Sequence, residues 1–582
     1  MVMLKWKNTL FAVAALMFGA SSLSAHAAST DPVKPALPCA QLKEVDLSDI
    51  GGKGSGITSA TETIHNGVAV CSVEGTLAPT IGIKVLLPTQ TWTQRYLQVG
   101  CGGLCGRASL EVGAADGCMP VEKGGFVVGS TDMGHSGMSG DFGRDEQKRA
   151  DFAYRAQHVT ALASKKLIRA FYGQKESYAY FSGCSDGGRE ALVEAQRFPG
   201  DFNGIIAGAA AMNFQVQNSF YHAWQARANT GPDGKAILLA SRLPLLHQAV
   251  LKQCDATDGQ VDGLISEPRA CHFDPAVLLC SPEAKDKSAC MTSAEVDAVR
   301  RLYEGPKDPA TGHRLTIAGP QYGSELAWAG VFVPDDARQP TMSEMVSLSA
   351  IRNLIFEQNP PANFRLADFA FDLATFEKLK ARHPLFDATN PDLSAFAAGG
   401  GKLILWHGWA DPHISPINTV AYHEAVEKVM GKAKATAFER LYLFPGMYHC
   451  SNGDGPSQID LLTPMMKWVE NGQAPDAIVV QREDPAKSLS DPRHSFGQPM
   501  VLTSGNKTGK DAPTMSTHPP MPKPGSPVQS HPVYPYPDVA VYGDQGDPNQ
   551  ASSFVRGKAP ASYAIPDWAG AAFYTPYPAR TR

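Results

Sequence analysis

This chain carries no basic run, and its 582 residues have a net charge of −5. A nucleic-acid partner would favour a clustered cationic face, so the composition argues against one. There is no C-x-x-C pair and no H-E-x-x-H, which leaves zinc-ribbon, thioredoxin-type and zincin readings without support. No internal repeat is present. Past the amino terminus no stretch is long and apolar enough for a membrane span, which needs roughly 20 apolar residues. What remains is ordinary for a globular protein with a sizeable core: 43% hydrophobic and 19% charged residues. The length allows two or more domains.

The first residues read as a secretory leader. Lys5 and Lys7 give a positive start, Leu10 to Phe18 an apolar segment, and Ala25-His26-Ala27 a small-residue cleavage pattern. The mature chain then starts near Ala28. Export permits disulfides. The eleven cysteines are an odd number, so at least one thiol stays unpaired or bonds another molecule.

Gly183-Cys184-Ser185-Asp186-Gly187 fits G-x-S-x-G between a predicted strand (Tyr178 to Phe181) and a predicted helix (Gly187 to Arg197). On such a turn a serine is held exposed beside helix N-terminal N–H groups, and the glycines keep the tight approach open. The rhythm around it is βαβ. Strands are predicted at Gly82–Leu87, Arg95–Val99, Gly125–Ser130, Ser177–Phe181 and Gly204–Ala207, and a helix at Asp151–Tyr172. That pattern predicts a mostly parallel sheet with helices on both faces. It breaks from Asn213 to Asp392. It resumes with a strand at Lys402–Trp406, a helix at Pro416–Val429, a strand at Arg440–Phe444 and a helix at Gln458–Asn471. After Ser504 the chain is rich in Pro and Gly, which predicts irregular structure wrapped on the core.

A serine nucleophile needs a base, and the base an orienting carboxylate. In α/β-hydrolases these follow in the order Ser, Asp or Glu, His, on loops after late strands. Asp411 follows the Lys402–Trp406 strand and His449 the Arg440–Phe444 strand. His407 and His413 compete for the base role but flank the acid loop itself. The long interval between Ser185 and Asp411 calls for an inserted lid. The oxyanion hole is expected from the N–H of Asp186 and, in Val99-Gly100-Cys101-Gly102-Gly103, from that of Cys101, with Gly100 close behind. Cys184 precedes the serine and Cys450 follows the histidine. If Ser185 and His449 meet, these two cysteines come near disulfide distance.

The motifs Gly183-Cys184-Ser185-Asp186-Gly187-Gly188 and Pro445-Gly446-Met447-Tyr448-His449-Cys450 resemble the tannase and feruloyl esterase family, from Cys39 to about Phe554. That family includes fungal feruloyl esterases, tannases and a bacterial terephthalate-monoester hydrolase. The resemblance implies structural bridges Cys39–Cys71, Cys254–Cys271 and Cys280–Cys290. It also implies a lid calcium loop from Cys254 to Leu264. Asp255, Asp258 and Asp262 would give side chains to that ion, and Gln260 and Leu264 backbone carbonyls; three carboxylates within a short Gly-containing segment suit a hard cation. The spacing is not that of an EF-hand. Where the family often carries another cysteine pair this chain has Tyr534, with Arg556 near the partner position. Cys101, Cys105 and Cys118 form an odd trio, one pair and one free thiol, with the pair left open.

These readings converge on an α/β fold, an α/β-hydrolase core with a large inserted lid domain. The expected limits are a leader at 1–27, core at 28–212, lid at 213–392, core again at 393–505 and a C-terminal segment at 506–582. The expected activity is secreted or periplasmic hydrolysis of aromatic or phenolic acid esters, of feruloyl or galloyl type, through an acyl-enzyme, with structural calcium and no redox cofactor. Alternatives are a terephthalate-monoester hydrolase, a peptidase with the same triad, and a calcium-dependent binding protein without catalysis. The partner is a small aromatic ester, not nucleic acid or membrane. Trp328, Arg352 and Phe356 are candidate pocket residues.

Overall fold

The computed structural model describes residues 31–482, 529–543, 545–559 and 563–578. The leader at 1–27, and 506–528 of the C-terminal segment, lie outside the described residues. Nine strands make the main sheet: β1 (Gly56–His65), β2 (Val68–Leu77), β3 (Ile81–Pro88), β4 (Arg95–Val99), β5 (Phe126–Thr131), β6 (Tyr178–Cys184), β7 (Gly204–Gly208), β8 (Lys402–Gly408) and β9 (Glu439–Phe444). Their order is β1-β2-β3-β5-β4-β6-β7-β8-β9. The six strands from β5 to β9 run parallel, while β1, β2, β3 and β5 pair antiparallel. The sheet is therefore mostly parallel.

Burial explains the difference. Every residue of β4 and β7 is buried, as expected of parallel strands covered on both faces. The outer half of β1 is exposed, so its sequence is polar. Asn66 and Gly67, both at positive φ, turn β1 into β2 in two residues. The helix Ala156–Tyr172 is preceded by a π-helical turn at Asp151–Arg155, together filling the predicted Asp151–Tyr172 span. The last core helix starts at Leu462, later than Gln458, and Asp460, just before its N-cap Leu461, accepts the Thr463 N–H.

Between Gly208 and Lys402 no strand joins the main sheet. Part of this stretch folds around its own core, while Phe214, Phe220, Ile351 and Leu354 pack into the main one. The helix Leu243–Cys254 and the helix Ser293–Glu304, which opens on a Thr292–Glu295 capping box, pack through Leu246, Val250, Val296 and Val299 onto Trp328 and Phe332. Trp328 is wholly buried there, its Nε1–H donating to Ser324. It therefore belongs to the core of the inserted stretch and does not line a pocket. Arg352 likewise spends its Nε–H on the Phe364 carbonyl. Phe356 packs against the main core. The described part of the C-terminal segment is more regular than its composition suggested: Ser530–Val533 pairs with Ile478–Gln481, and Asp538–Tyr542 with Phe554–Lys558. The Arg556 guanidinium lies 4.7 Å from the Tyr534 ring centroid, a cation–π contact where a cysteine pair was expected to be lost.

Candidate active site

Strand β6 delivers Ser185 into the helix Asp186–Arg197. Ser185 sits at φ 64°, ψ −123°, a backbone conformation that L residues rarely adopt. The elbow is pinned on both sides: the Ser185 N–H donates to Gly208 O at 3.0 Å, and Ser185 O accepts from Ala211 N at 2.9 Å. Glycine is obligatory around it. A Cβ on Gly183 would stand 2.3 Å from Gly187 O, and one on Gly188 2.3 Å from Gly208 O. The turn thus presents the serine at the carboxyl end of the sheet, where open α/β sheets hold their chemistry.

Asp411 and His449 follow β8 and β9 and meet. His449 Nδ1 lies 2.7 Å from Asp411 Oδ2, so this nitrogen carries hydrogen and Nε2 is left as the base. Asp411 is fully buried and richly solvated by protein. Its Oδ2 also faces His407 Nε2 at 3.0 Å, and Oδ1 accepts the backbone N–H groups of His413 at 2.7 Å and Ile414 at 3.1 Å. Burial by itself would raise the Asp411 pKa, but His449 and His407 hold the carboxyl well below the usual range. His407 therefore supports the acid. His413, whose ring centroid is 4.7 Å from that of His449, is held neutral by burial first and by His449 second. His222, one step further out, is pushed down to about 3 for the same reasons.

Cys184 and Cys450 form a disulfide with Cα atoms 6.0 Å apart, tying the neighbour of Ser185 to the neighbour of His449. Cys39–Cys71, Cys254–Cys271 and Cys280–Cys290 are also joined. The trio resolves as Cys101–Cys105, leaving Cys118 a buried free thiol.

On the oxyanion side one expectation needs correction. Asp186 stands at the helix start, its carboxylate locked onto Arg189 at 2.7 Å. A helix start leaves backbone N–H groups without intrahelical partners. The Cys101 N–H, however, donates to Glu190 Oε2 at 3.1 Å and is not free. Gly100, named as next best, gives its N–H to Ser182 O. Glu190 escaped the sequence reading because a helical glutamate is ordinarily solvated.

The loop after the helix Leu243–Cys254 carries Asp255, Asp258, Gln260, Asp262 and Leu264, though the three carboxylates do not meet within 4.8 Å among the described residues. Asp255 accepts from Gly263 N, Asp258 from Gln260 N and Asp262 from Leu264 N. Asp262 is raised to about 6 by burial and by the charges of Asp258 and Asp255. Gln260 Oε1 is buried without a partner. Excess negative charge and an orphaned oxygen fit a hard cation. Leu264 also packs toward the base loop, where a Cβ on Gly446 would lie 2.7 Å from its Cδ2.

A parallel sheet, a strained serine elbow and a carboxylate-bound histidine after the last strand define an α/β-hydrolase. Residues 65–557 match the family model described as tannase and feruloyl esterase. An uncharacterized esterase of Xanthomonas campestris is 33% identical over 83% of this chain and 89% of its own length. A mono(2-hydroxyethyl) terephthalate hydrolase of Piscinibacter sakaiensis is 29% identical over 83% of this chain and 84% of its own. A feruloyl esterase B of Aspergillus niger is 30% identical over 66% and 74%. The crystal structure of feruloyl esterase B from Aspergillus oryzae superposes with a TM-score of 0.72 at 24% identity, covering 89% of this chain and all of that one. The chain belongs to the tannase and feruloyl esterase family and is a carboxylic ester hydrolase.

Proposed function

We propose that this protein hydrolyses esters of phenolic or other aromatic acids through Ser185, His449 and Asp411. Ser185 Oγ attacks the ester carbonyl while His449 Nε2 takes its proton. The tetrahedral oxyanion is received by the N–H of Asp186 and, in place of Cys101, by that of Gly102. Collapse expels the alcohol, protonated by His449, and leaves the acyl-enzyme. Water then attacks with His449 again as base, and the acid is released. Asp411 fixes the imidazole tautomer and carries the negative charge opposite the imidazolium. The observation that carries this reading is the Asp411–His449 pair, covalently tied through Cys450 and Cys184 to the serine elbow. The names of the relatives support the acyl class: feruloyl and terephthalate esters both present an aromatic acid.

Calcium, in this reading, is held by Asp255, Asp258 and Asp262 with the carbonyls of Gln260 and Leu264, and steadies the lid loop. Five disulfides support an exported protein, and among the described residues no helix is long and apolar enough to cross a membrane.

Turnover of methyl ferulate, methyl gallate, mono(2-hydroxyethyl) terephthalate and a peptide series, by wild type and Ser185→Ala, tests the proposal. Aromatic ester turnover lost in Ser185→Ala is expected. Peptide turnover alone, or full activity in the variant, overturns it.

A further inference from the structure

Glu190 stands one turn past the nucleophile, with 2% of its surface exposed. Its Oε2 accepts the Cys101 N–H at 3.1 Å and the Gln157 Nε2–H at 2.6 Å. Its Oε1 faces sulfur: Cys101 Sγ at 3.0 Å and Cys105 Sγ at 3.3 Å. Those sulfurs are joined to each other, so neither has a hydrogen to give. A carboxylate oxygen abutting two donorless sulfurs would be an unsatisfied buried charge, which proteins avoid. A protonated Oε1 resolves the contact, because its O–H then donates to a sulfur lone pair. The same conclusion follows from the surroundings. Burial first, and the neighbouring Asp186 carboxylate second, push the Glu190 acid well above its usual range, against the pull of Arg189.

The loop after β4 touches the helix Asp186–Arg197 at backbone distance, since a Cβ on Gly100 would be 2.7 Å from Gly187 Cα and 2.8 Å from Glu190 Oε2. The loop has then to turn within five residues, closed by the Cys101–Cys105 bond. We propose that Glu190, as a neutral acid, is a positioning residue that clamps the disulfide-closed loop Cys101–Cys105 against the nucleophile helix and so aims the N–H of the following Gly102 at the oxyanion. This rests on the hydrolase reading above. Glu190 touches neither substrate nor nucleophile; it acts through the loop.

The test compares Glu190→Met, which keeps size and removes both oxygens, with Glu190→Gln, which keeps one acceptor for the Cys101 N–H and one donor for the sulfurs. Active sites are titrated with an aryl phosphonate, and kcat and KM for an aryl ester are expressed per titrated site. Removing one oxyanion donor outright costs roughly 100-fold or more in kcat. A misaimed donor should cost at least about tenfold. Glu190→Met is therefore expected to lower kcat at least about tenfold with KM within about threefold, and Glu190→Gln to stay within about threefold of wild type in both. A role confined to stability would lower the titrated fraction and the melting temperature while leaving kcat per site unchanged, and that result overturns the proposal. Glu190→Gln falling as far as Glu190→Met overturns the neutral-acid assignment. Should Glu190→Met not give a native near-UV spectrum, Cys105→Ser carries the same test: kcat lowered at unchanged KM supports the clamp, and wild-type kcat refutes it. Because wild type and Ser185→Ala are assayed alongside, a failure of the hydrolase reading shows as retained activity in Ser185→Ala, not as a result for Glu190.

Discussion

Two disulfides flank Ser185, one toward the base and one toward the oxyanion. Cys184–Cys450 joins residues 266 apart in sequence, and Cys101–Cys105 residues 4 apart. In the chain-entropy account a cross-link restricts the unfolded chain according to the loop it closes, about 5 kcal/mol for the long one against about 2 kcal/mol for the short one. The long bond therefore does two tasks at once, stabilising the fold and tying the neighbour of His449 to the neighbour of Ser185. The short bond contributes little to chain entropy. Its effect is local shape, at a loop that Glu190 grips from below. The two sides thus differ in the span of their cross-links, 266 residues against 4, although Glu190 reaches the short-bonded loop from 89 positions away.

The largest expected effect falls on the residue between the two sides. Ser185→Ala should lower ester turnover by at least about ten-thousand-fold while the melting temperature stays within a degree or two, since a nucleophile knockout removes chemistry and not packing. Persistent turnover would mean that neither cross-link serves a serine mechanism. Next comes Cys184→Ala with Cys450→Ala. Urea unfolding should show a loss approaching about 5 kcal/mol, and the folded fraction should lose kcat as well. Full activity in that folded fraction would reduce the long bond to a staple.

Calcium removal sharpens the base side. An ion at 100 times its dissociation constant stabilises the native state by about 2.7 kcal/mol. Chelation should lower the melting temperature accordingly, and it should lower kcat through Leu264, whose side chain abuts Gly446 of the base loop. An unchanged melting curve removes calcium from the account. The double replacement Cys101→Ser with Cys105→Ser should cost no more than about 2 kcal/mol of stability, yet reduce kcat more than that small loss would lead one to expect. Equal behaviour of the two pairs would erase the distinction between them.

The same split marks what the sequence made legible. β4 stands at Arg95–Val99, as predicted, and β8 and β9 within two residues, because buried parallel strands are short apolar runs with sharp ends. β1 and β2 went unread. Their outer face is polar, so the hydrophobic pattern is faint, although Asn66-Gly67 is a hairpin turn signal that could have found them. The meeting of Asp411 with His449 and the cross-link beside it were legible from order and motif. The engagement of the Cys101 N–H was not, because it is claimed by a glutamate 89 positions away whose burial no periodicity announces. His407 was read as a rival base, but its contact with Asp411 makes it a supporter of the acid.

The smallest effect concerns acid sensitivity on the base side. His222 is buried, its Nδ1 2.9 Å from Ser343 Oγ, and faces His449, His413 and Asp411. Its folded pKa is pushed down to about 3, by burial first and the His449 charge second. An unfolded histidine titrates near its ordinary value, about 6.5. The unfolded chain therefore binds a proton that the folded one refuses throughout the interval between those values. Stability contributed by neutral His222 is whole above that ordinary value and declines as the pH falls toward the folded one, by at most about 1.4 kcal/mol per pH unit. His413 is shifted in the same direction. Replacing His222 by Gln preserves a polar side chain without the titration, so its unfolding free energy should fall less steeply between pH 6 and pH 4 than that of wild type, by roughly one proton's worth of slope. Glu190→Gln should shift the slope in the opposite sense: folded neutral Glu190 keeps a proton that the unfolded glutamate loses above its ordinary value of about 4.3, whereas the amide titrates in neither state, so that variant's unfolding free energy should fall more steeply than wild type as the pH drops from 6 toward that value. Parallel curves for wild type and His222→Gln would show that the base side is not kept neutral by burial.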